Sequence, residues 1–244
     1  MGHHLAVVTC HQWIELAPAA LQSVADQTRA FDGVLMVVDP GEHDQEYANL
    51  LQTHPVQFYK LPEHQGVAAA RNAGFAWAVE RGFEWVSFLD EDDLYWPTYL
   101  EEMHKAVSLC PWVKLFYPDW AEFADPGYLR RFHVTPEHNR DLLLKTPYIV
   151  SASTIHTDVW LKVKEINGTG YDPGLEAQGL RWEDYLFYIE AALCGFQFSR
   201  VGLGLLRVRT HPGQGGEIAN RTIPQWTEYV QQKVKSLYGK TARS

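Results

Sequence analysis

The stretch GVAAARNAGFAWAVERGFEWVSFLDEDD, running from Gly66 to Asp93, decides the fold. Its first half opens on a glycine and carries Val67, Ala70, Gly74, Trp77 and Ala78 at helical spacing, which predicts a helix over 66–81. Its second half, Trp85 to Leu89, is an unbroken apolar run that ends in acids, the pattern of a strand buried on both faces. The same alternation extends upstream. Leu5–Thr9, Gly33–Val38 and Val56–Leu61 read as buried strands, with helices through Leu21, Val24 and Ala25 and over Asp44–Thr53 between them. Strands alternating with helices from Leu5 to Leu89 predict an open, mostly parallel α/β sheet.

Downstream of Asp93 the pattern changes. Thr98–Leu109 reads as a helix, Lys114–Tyr117 as a strand, and Trp120–Pro136 as irregular and aromatic. Tyr148–His156 reads as a strand, Thr157–Lys164 as a helix and Asn167–Gly179 as a glycine-rich loop. Trp182–Cys194 has helical spacing, Phe196–Val208 reads as strand with turns, Thr210–Gly216 as a mobile loop, and Pro224–Tyr238 as a terminal helix. No internal repeat and no long linker interrupts the chain, which predicts one compact domain.

With 244 residues, 46% of them hydrophobic, the chain can bury a substantial core, and disorder is excluded. Twenty-one basic residues against 30 acidic ones give a net charge of −9, which argues against nucleic acid as a partner because phosphates need Lys and Arg. The imbalance is local. Between Gly82 and His104 stand Glu84, Asp90, Glu91, Asp92, Asp93, Glu101 and Glu102 with no Lys or Arg. Such an excess is solvated, dispersed or held by a cation. Cys10, Cys110 and Cys194 are far apart and odd in number, which suits a reducing compartment. The N-terminus has no signal-peptide pattern and the chain no 18-residue apolar run, so a cytoplasmic location without a transmembrane segment is expected.

Asp90–Asp93 stand where a buried strand ends, and in open α/β sheets ligands bind outside the carboxyl ends of strands. Alternate residues share a face, so Asp90 and Asp92 together suit a hard cation, Mg²⁺ or Mn²⁺. An acidic run alone equally suits a solvated loop capping the helix near Pro97 and Thr98. Upstream, Gly66 and small residues open a helix whose free N–H groups and dipole favour an anion. Arg71, a turn further in, reaches towards a diphosphate or pairs with a core carboxylate.

Taken together, Gly66, Ala70-Arg71-Asn72, Gly74, Asp90-Glu91-Asp92-Asp93 and Pro97 resemble the family 2 glycosyltransferases of GT-A fold. The resemblance implies a nucleotide-diphosphosugar donor, with Asp90 near the ribose, Glu91 beside it on the donor, and Asp92 holding the metal that bridges the diphosphate. Val7–Gln12 resembles the family's opening strand and places Thr9 at the nucleotide pocket, although the family's usual Pro-x-x-Asn is absent. Asp39 matches the first acid of an Asp-Asp-Gly-Ser turn that contacts the base, while Pro40 and Glu42 depart from it. Gly170-Tyr171-Asp172 through Trp182-Glu183-Asp184 resembles the acceptor side, which implies that Asp184, or else Glu183, takes the acceptor proton. Arg209-Thr210-His211 resembles an R-x-H element, with Arg209 on phosphate and His211 as a further metal ligand.

The expectation is therefore a GT-A-like, Rossmann-type mixed α/β sheet flanked by helices. Residues 1–119 form the nucleotide-sugar-binding half, 120–223 the acceptor-side half, and 224–244 the C-terminal helix and tail. The expected activity is metal-dependent, inverting transfer of a sugar, with a UDP-sugar as donor, to a hydroxyl of a carbohydrate or other acceptor. The alternatives are a non-catalytic sugar-nucleotide-binding module and a sugar-1-phosphate nucleotidyltransferase, the latter lacking its glycine-rich N-terminal loop here. Lys233, Lys235, Lys240 and Arg243 after Glu228 suit either weak peripheral contact with an anionic membrane or a solvated tail.

Overall fold

Four parallel strands form the N-terminal part of one mixed sheet in the computed structural model, which describes residues 2–124, 127–210 and 223–239. β1 (His4–Cys10) lies between β2 (Gly33–Val38) and β4 (Trp85–Asp90), and β3 (Gln57–Lys60) lies outside β2. Their side chains alternate between two core layers, as strand geometry demands. Leu5, Val7, Leu35, Val37 and Phe88 point into one, and Ala6, Val8, Met36, Val38 and Leu89 into the other.

Helices close both layers, which is why β1 is buried at every position. The second layer is covered by α1 (Ala17–Ala25), α2 (Asp44–Leu50) and α4 (Tyr99–Leu109). The first is covered by α3 (Val67–Glu80), α6 (Thr157–Asn167), α8 (Glu183–Leu193) and α9 (Ile223–Tyr238). α3 buries Ala68, Ala70, Gly74 and Ala78, so it approaches the sheet closely. A Cβ on Gly74 would lie 2.8 Å from Val7 Cγ1.

Beyond β4 the sheet becomes mixed. β8 (Thr154–His156) runs antiparallel to β4 and to β6 (Leu115–Ala124), and β9 (Phe198–Arg209) runs parallel to β6. β5 (Leu94–Tyr95) pairs antiparallel with the far end of β9, giving the order β3-β2-β1-β4-β8-β6-β9-β5. β6 crosses the 119/120 boundary, so the two expected halves share one sheet.

Several expectations need correction. Trp120–Pro136 is not irregular. β6 continues to Ala124 and β7 (Tyr128–His133) pairs back along it. Only three residues of the expected 148–156 strand pair in the sheet, because the carbonyls of Val150, Ser151 and Ala152 accept instead from the hydroxyls of Tyr188 and Tyr99. The expected loop over 167–179 contains a short helix, α7 (Gly174–Ala177), and another, α5 (Arg140–Leu143), precedes β8. The three cysteines are free, and among the described residues no helix is long and apolar enough to cross a membrane. Residues 211–216 of the expected mobile loop lie outside the described residues.

Candidate active site

The carboxyl ends of β1, β2 and β4 open into a cleft of ≈ 480 Å³ that runs from the start of α3 to the start of α8. Thr9, Asp39, Arg71, Asp90, Glu91, Asp92, Glu183 and Asp184 all line it, so eight residues singled out in the sequence come together.

Asp90 ends β4 and accepts from Thr9 Oγ1 at 2.8 Å, Arg71 Nη2 at 3.0 Å and Ser151 Oγ at 3.0 Å. Burial opposes its ionisation, but the Arg71 charge and these hydrogen bonds outweigh it and hold Asp90 below the usual carboxylate range. Arg71 is itself 3% exposed and pairs through Nη1 with Glu183, the first residue of α8. It therefore bridges the end of β4 to the start of α8, the core-carboxylate pairing rather than a free reach to a diphosphate.

Glu91 is committed in the same way. Its Oε1 accepts the N–H groups of His11, Gln12 and Trp13 at 2.8–2.9 Å, and its Oε2 accepts the Tyr47 hydroxyl. The carboxylate expected on the donor thus holds the loop after β1 in place. Asp39 accepts from Gln65 N–H at 2.9 Å and Gly66 N–H at 2.8 Å, tying the end of β2 to the turn that starts α3. It borders the cleft where a base contact is expected, with its carboxylate already engaged.

Gly66 makes that turn possible. Its φ of 83° and ψ of 174° fall in a region that essentially only glycine occupies, and a Cβ there would lie 1.6 Å from Glu176 Oε2. Gly66→Ala is expected to cost about 1–3 kcal/mol in equilibrium urea unfolding, with the Glu176 side chain displaced from the cleft.

Asp92 and Asp93 complete the acidic turn beside the end of β9. Asp93 accepts the Arg209 N–H at 2.9 Å, and Arg209 Nε donates to the Asp92 carbonyl at 2.9 Å. Arg209 thus reaches the turn from the end of β9, its guanidinium 4.5 Å from the Phe123 ring centroid. Burial, with the neighbouring Asp92 and Asp90 carboxylates, pushes the Asp93 carboxyl well up. Asp90 and Asp93 are engaged by Arg71 and Arg209, and among the described residues no three ligands gather at this turn, so a hard divalent cation here would rest on Asp92 and on oxygens of a bound diphosphate. His211, the other expected ligand, lies outside the described residues.

At the opposite wall, Trp182 adopts a left-handed conformation with φ 65°, the one non-glycine residue with positive φ among the described residues. Such backbone is costly and persists where surrounding structure over-determines it. It delivers Glu183 and Asp184 into the first turn of α8 with different surroundings. Glu183 is in the Arg71 ion pair, whereas burial and the adjacent Glu183 charge push the Asp184 carboxyl up to about 7, against the pull of Arg71.

Sequence reasoning missed Ser151 and Tyr47. Ser151 sits in a segment read as strand, with nothing local to mark it as a partner of Asp90. Tyr47 occupies a segment read only as a helix, and its reach to Glu91 spans 44 residues.

A cleft at the strand ends of a half-parallel sheet, edged by aspartates and faced by a paired carboxylate on a helix start, is an architecture of the GT-A type. Residues 5–109 match the family model described as Glycosyl transferase family 2. It is similar to an uncharacterized glycosyltransferase of Haemophilus influenzae, 28% identical over 112 residues, covering 46% of this chain and 37% of that protein. It is also similar to the uncharacterized glycosyltransferase YwdF of Bacillus subtilis, 27% identical over 107 residues, covering 44% and 39%. The matches thus span well under half the length of these curated relatives. Among solved structures, S. aureus TarS 1-349 in complex with UDP-GlcNAc aligns at TM-score 0.67 and 16% identity, over 87% of this chain and 60% of that one. The same protein in complex with UDP aligns at 0.65 and 17%, over 88% and 63%. At these identities the likeness is one of fold.

Proposed function

We propose that the chain transfers a sugar from a nucleotide-diphosphosugar, with UDP as the nucleotide, to an acceptor hydroxyl with inversion. The observation that carries this reading is the placement of Asp184, a carboxyl poised near neutrality, across one cleft from the acidic strand end. In the mechanism, Asp184 takes the acceptor proton while the acceptor oxygen attacks the anomeric carbon. The bond from that carbon to the diphosphate breaks as the new one forms, the diphosphate leaves with the electron pair, and a single displacement inverts the centre. Arg71 and Glu183 fix the start of α8 so that Asp184 faces the cleft. Thr9 and Asp39 line the nucleoside end, and Arg209 stands beside the acidic turn at the phosphate end. A Mg²⁺ or Mn²⁺ ion held by Asp92 supplies charge neutralisation at the diphosphate when bound. Support for UDP comes from the TarS complexes, whose fold this chain shares.

The test is a screen of nucleotide-sugars for metal-dependent release of nucleoside diphosphate, with release expected from a UDP-sugar. No release and no thermal shift with any common donor refutes the reading. Within that assay two substitutions of equal formal charge separate site from surface. Asp92→Asn is expected to weaken metal-dependent donor binding by roughly two orders of magnitude. Glu101→Gln, on the outer face of α4 and paired with Lys105, is expected to leave it within about twofold, as for other surface ion pairs.

A further inference from the structure

We propose that His11, Asp39 and His64 form a second metal site, for a borderline transition ion of the Zn²⁺ type, at the mouth of the cleft and separate from the acidic turn. The three residues come from the loop after β1, the end of β2 and the turn before α3, and the fold brings one ligand atom of each within 4.8 Å of the others. His64 Nδ1 lies 2.8 Å from Asp39 Oδ2, and His11 Nδ1 lies 4.0 Å from the same oxygen. The two imidazoles stack with centroids 4.6 Å apart and planes 14° from parallel, and His11 Nδ1 donates to the Asp39 carbonyl at 3.0 Å, so binding an ion requires both rings to turn and His11 Nδ1 to release its proton. Zinc bonds of about 2.0–2.2 Å put tetrahedral donors roughly 3.3 Å apart, within an ångström of the two carboxylate–imidazole distances.

The surroundings supply what a metal site requires. Gln65 and Gly66 N–H groups hold the Asp39 carboxylate in orientation, the outer-shell contacts that ligating carboxylates need. Three protein ligands leave a further position for water, and His64, 58% exposed, gives the ion a route in. Two imidazoles and one carboxylate select zinc-like ions, whereas the all-oxygen turn at Asp92 selects magnesium-like ones. The two sites therefore sort different ions. Because His11 and Asp39 line the cleft, an ion here narrows its nucleoside end.

Zinc chloride titrated calorimetrically into the full chain, without any donor, tests this independently of the transferase reading. One saturable equivalent is expected. His11→Ala and His64→Ala are each expected to weaken it at least about tenfold, and Asp92→Asn to leave it unchanged. His64→Gln keeps a hydrogen-bond donor for Asp39 and is expected to lose zinc while retaining the wild-type unfolding midpoint. His3, exposed beside Asp32 at 3.6 Å, is another imidazole that zinc could meet. Zinc binding that survives both histidine substitutions therefore overturns the proposal. So does its loss in Asp92→Asn, or the absence of binding by a wild-type chain shown to be folded by circular dichroism.

Discussion

Asp184→Asn is expected to lower turnover by about two to four orders of magnitude while leaving donor affinity within about twofold of wild type, the range for removal of a general base. The substitution keeps size and leaves the Arg71–Glu183 pair intact, so the start of α8 stays in place. Wild-type kcat is expected to rise with pH through about 7 and then level off, because only ionised Asp184 accepts a proton. Linkage gives the same residue a second signature. A carboxyl raised from its ordinary range to about 7 binds its proton more tightly folded than unfolded, so this group lowers stability as pH rises across that window. At pH 8 Asp184→Asn is therefore expected to be more stable than wild type by urea midpoint, and far less active. Unchanged turnover in a folded Asp184→Asn protein places the base elsewhere.

Arg71→Met is expected to destabilise the fold by about 3–5 kcal/mol at pH 7, the magnitude for removing one partner of a buried ionic group. The cost arises from what stays behind, since Asp90 and Glu183 lose the cation between them. Arg71→Lys restores only part, because a point charge cannot serve two carboxylates through separate nitrogens. The sign with pH follows from Asp90, whose folded pKa is depressed. Its contribution is fully present above the ordinary carboxylate range and is lost as pH falls through the lower folded value. The gap between wild type and Arg71→Met should accordingly narrow in acid, read from urea titrations at pH 7 and below 4.

β1, β2 and β4 were legible because both faces of each are covered, so hydrophobic runs and strand limits nearly coincide, whereas the edge strand β3, read as buried, is largely exposed. Gly33–Val38 agrees end to end. Legibility fails where a strand buries neither face. β7 leaves Tyr128, Leu129 and Phe132 exposed and so lacks the alternation that marks a strand. In the cleft, motif spacing placed Asp90, Asp92 and Asp184. It could not reveal who pairs with whom. Arg71 meets Glu183 across 112 residues, and Glu91 is captured by N–H groups 78–80 residues away. Those partners are chosen by closure of the sheet and by the cost of leaving buried charge unmatched, quantities no local pattern carries.

The bridge from Arg71 to Glu183 also bears on the order in which the molecule becomes competent. Arg71 and Asp90 are 19 residues apart and meet within a local helix–strand unit, whereas Glu183 arrives only with the late-sequence elements. Parallel pairing of β6 with β9, Leu115 to Phe198, belongs to the same long-range closure, and contacts of that separation form slowly because loop entropy precedes their reward. In a chain that folds as it leaves the ribosome, the Arg71–Asp90 contact is therefore available before the Arg71–Glu183 contact. On the transferase reading proposed above, a donor bound before α8 docks would face no positioned base.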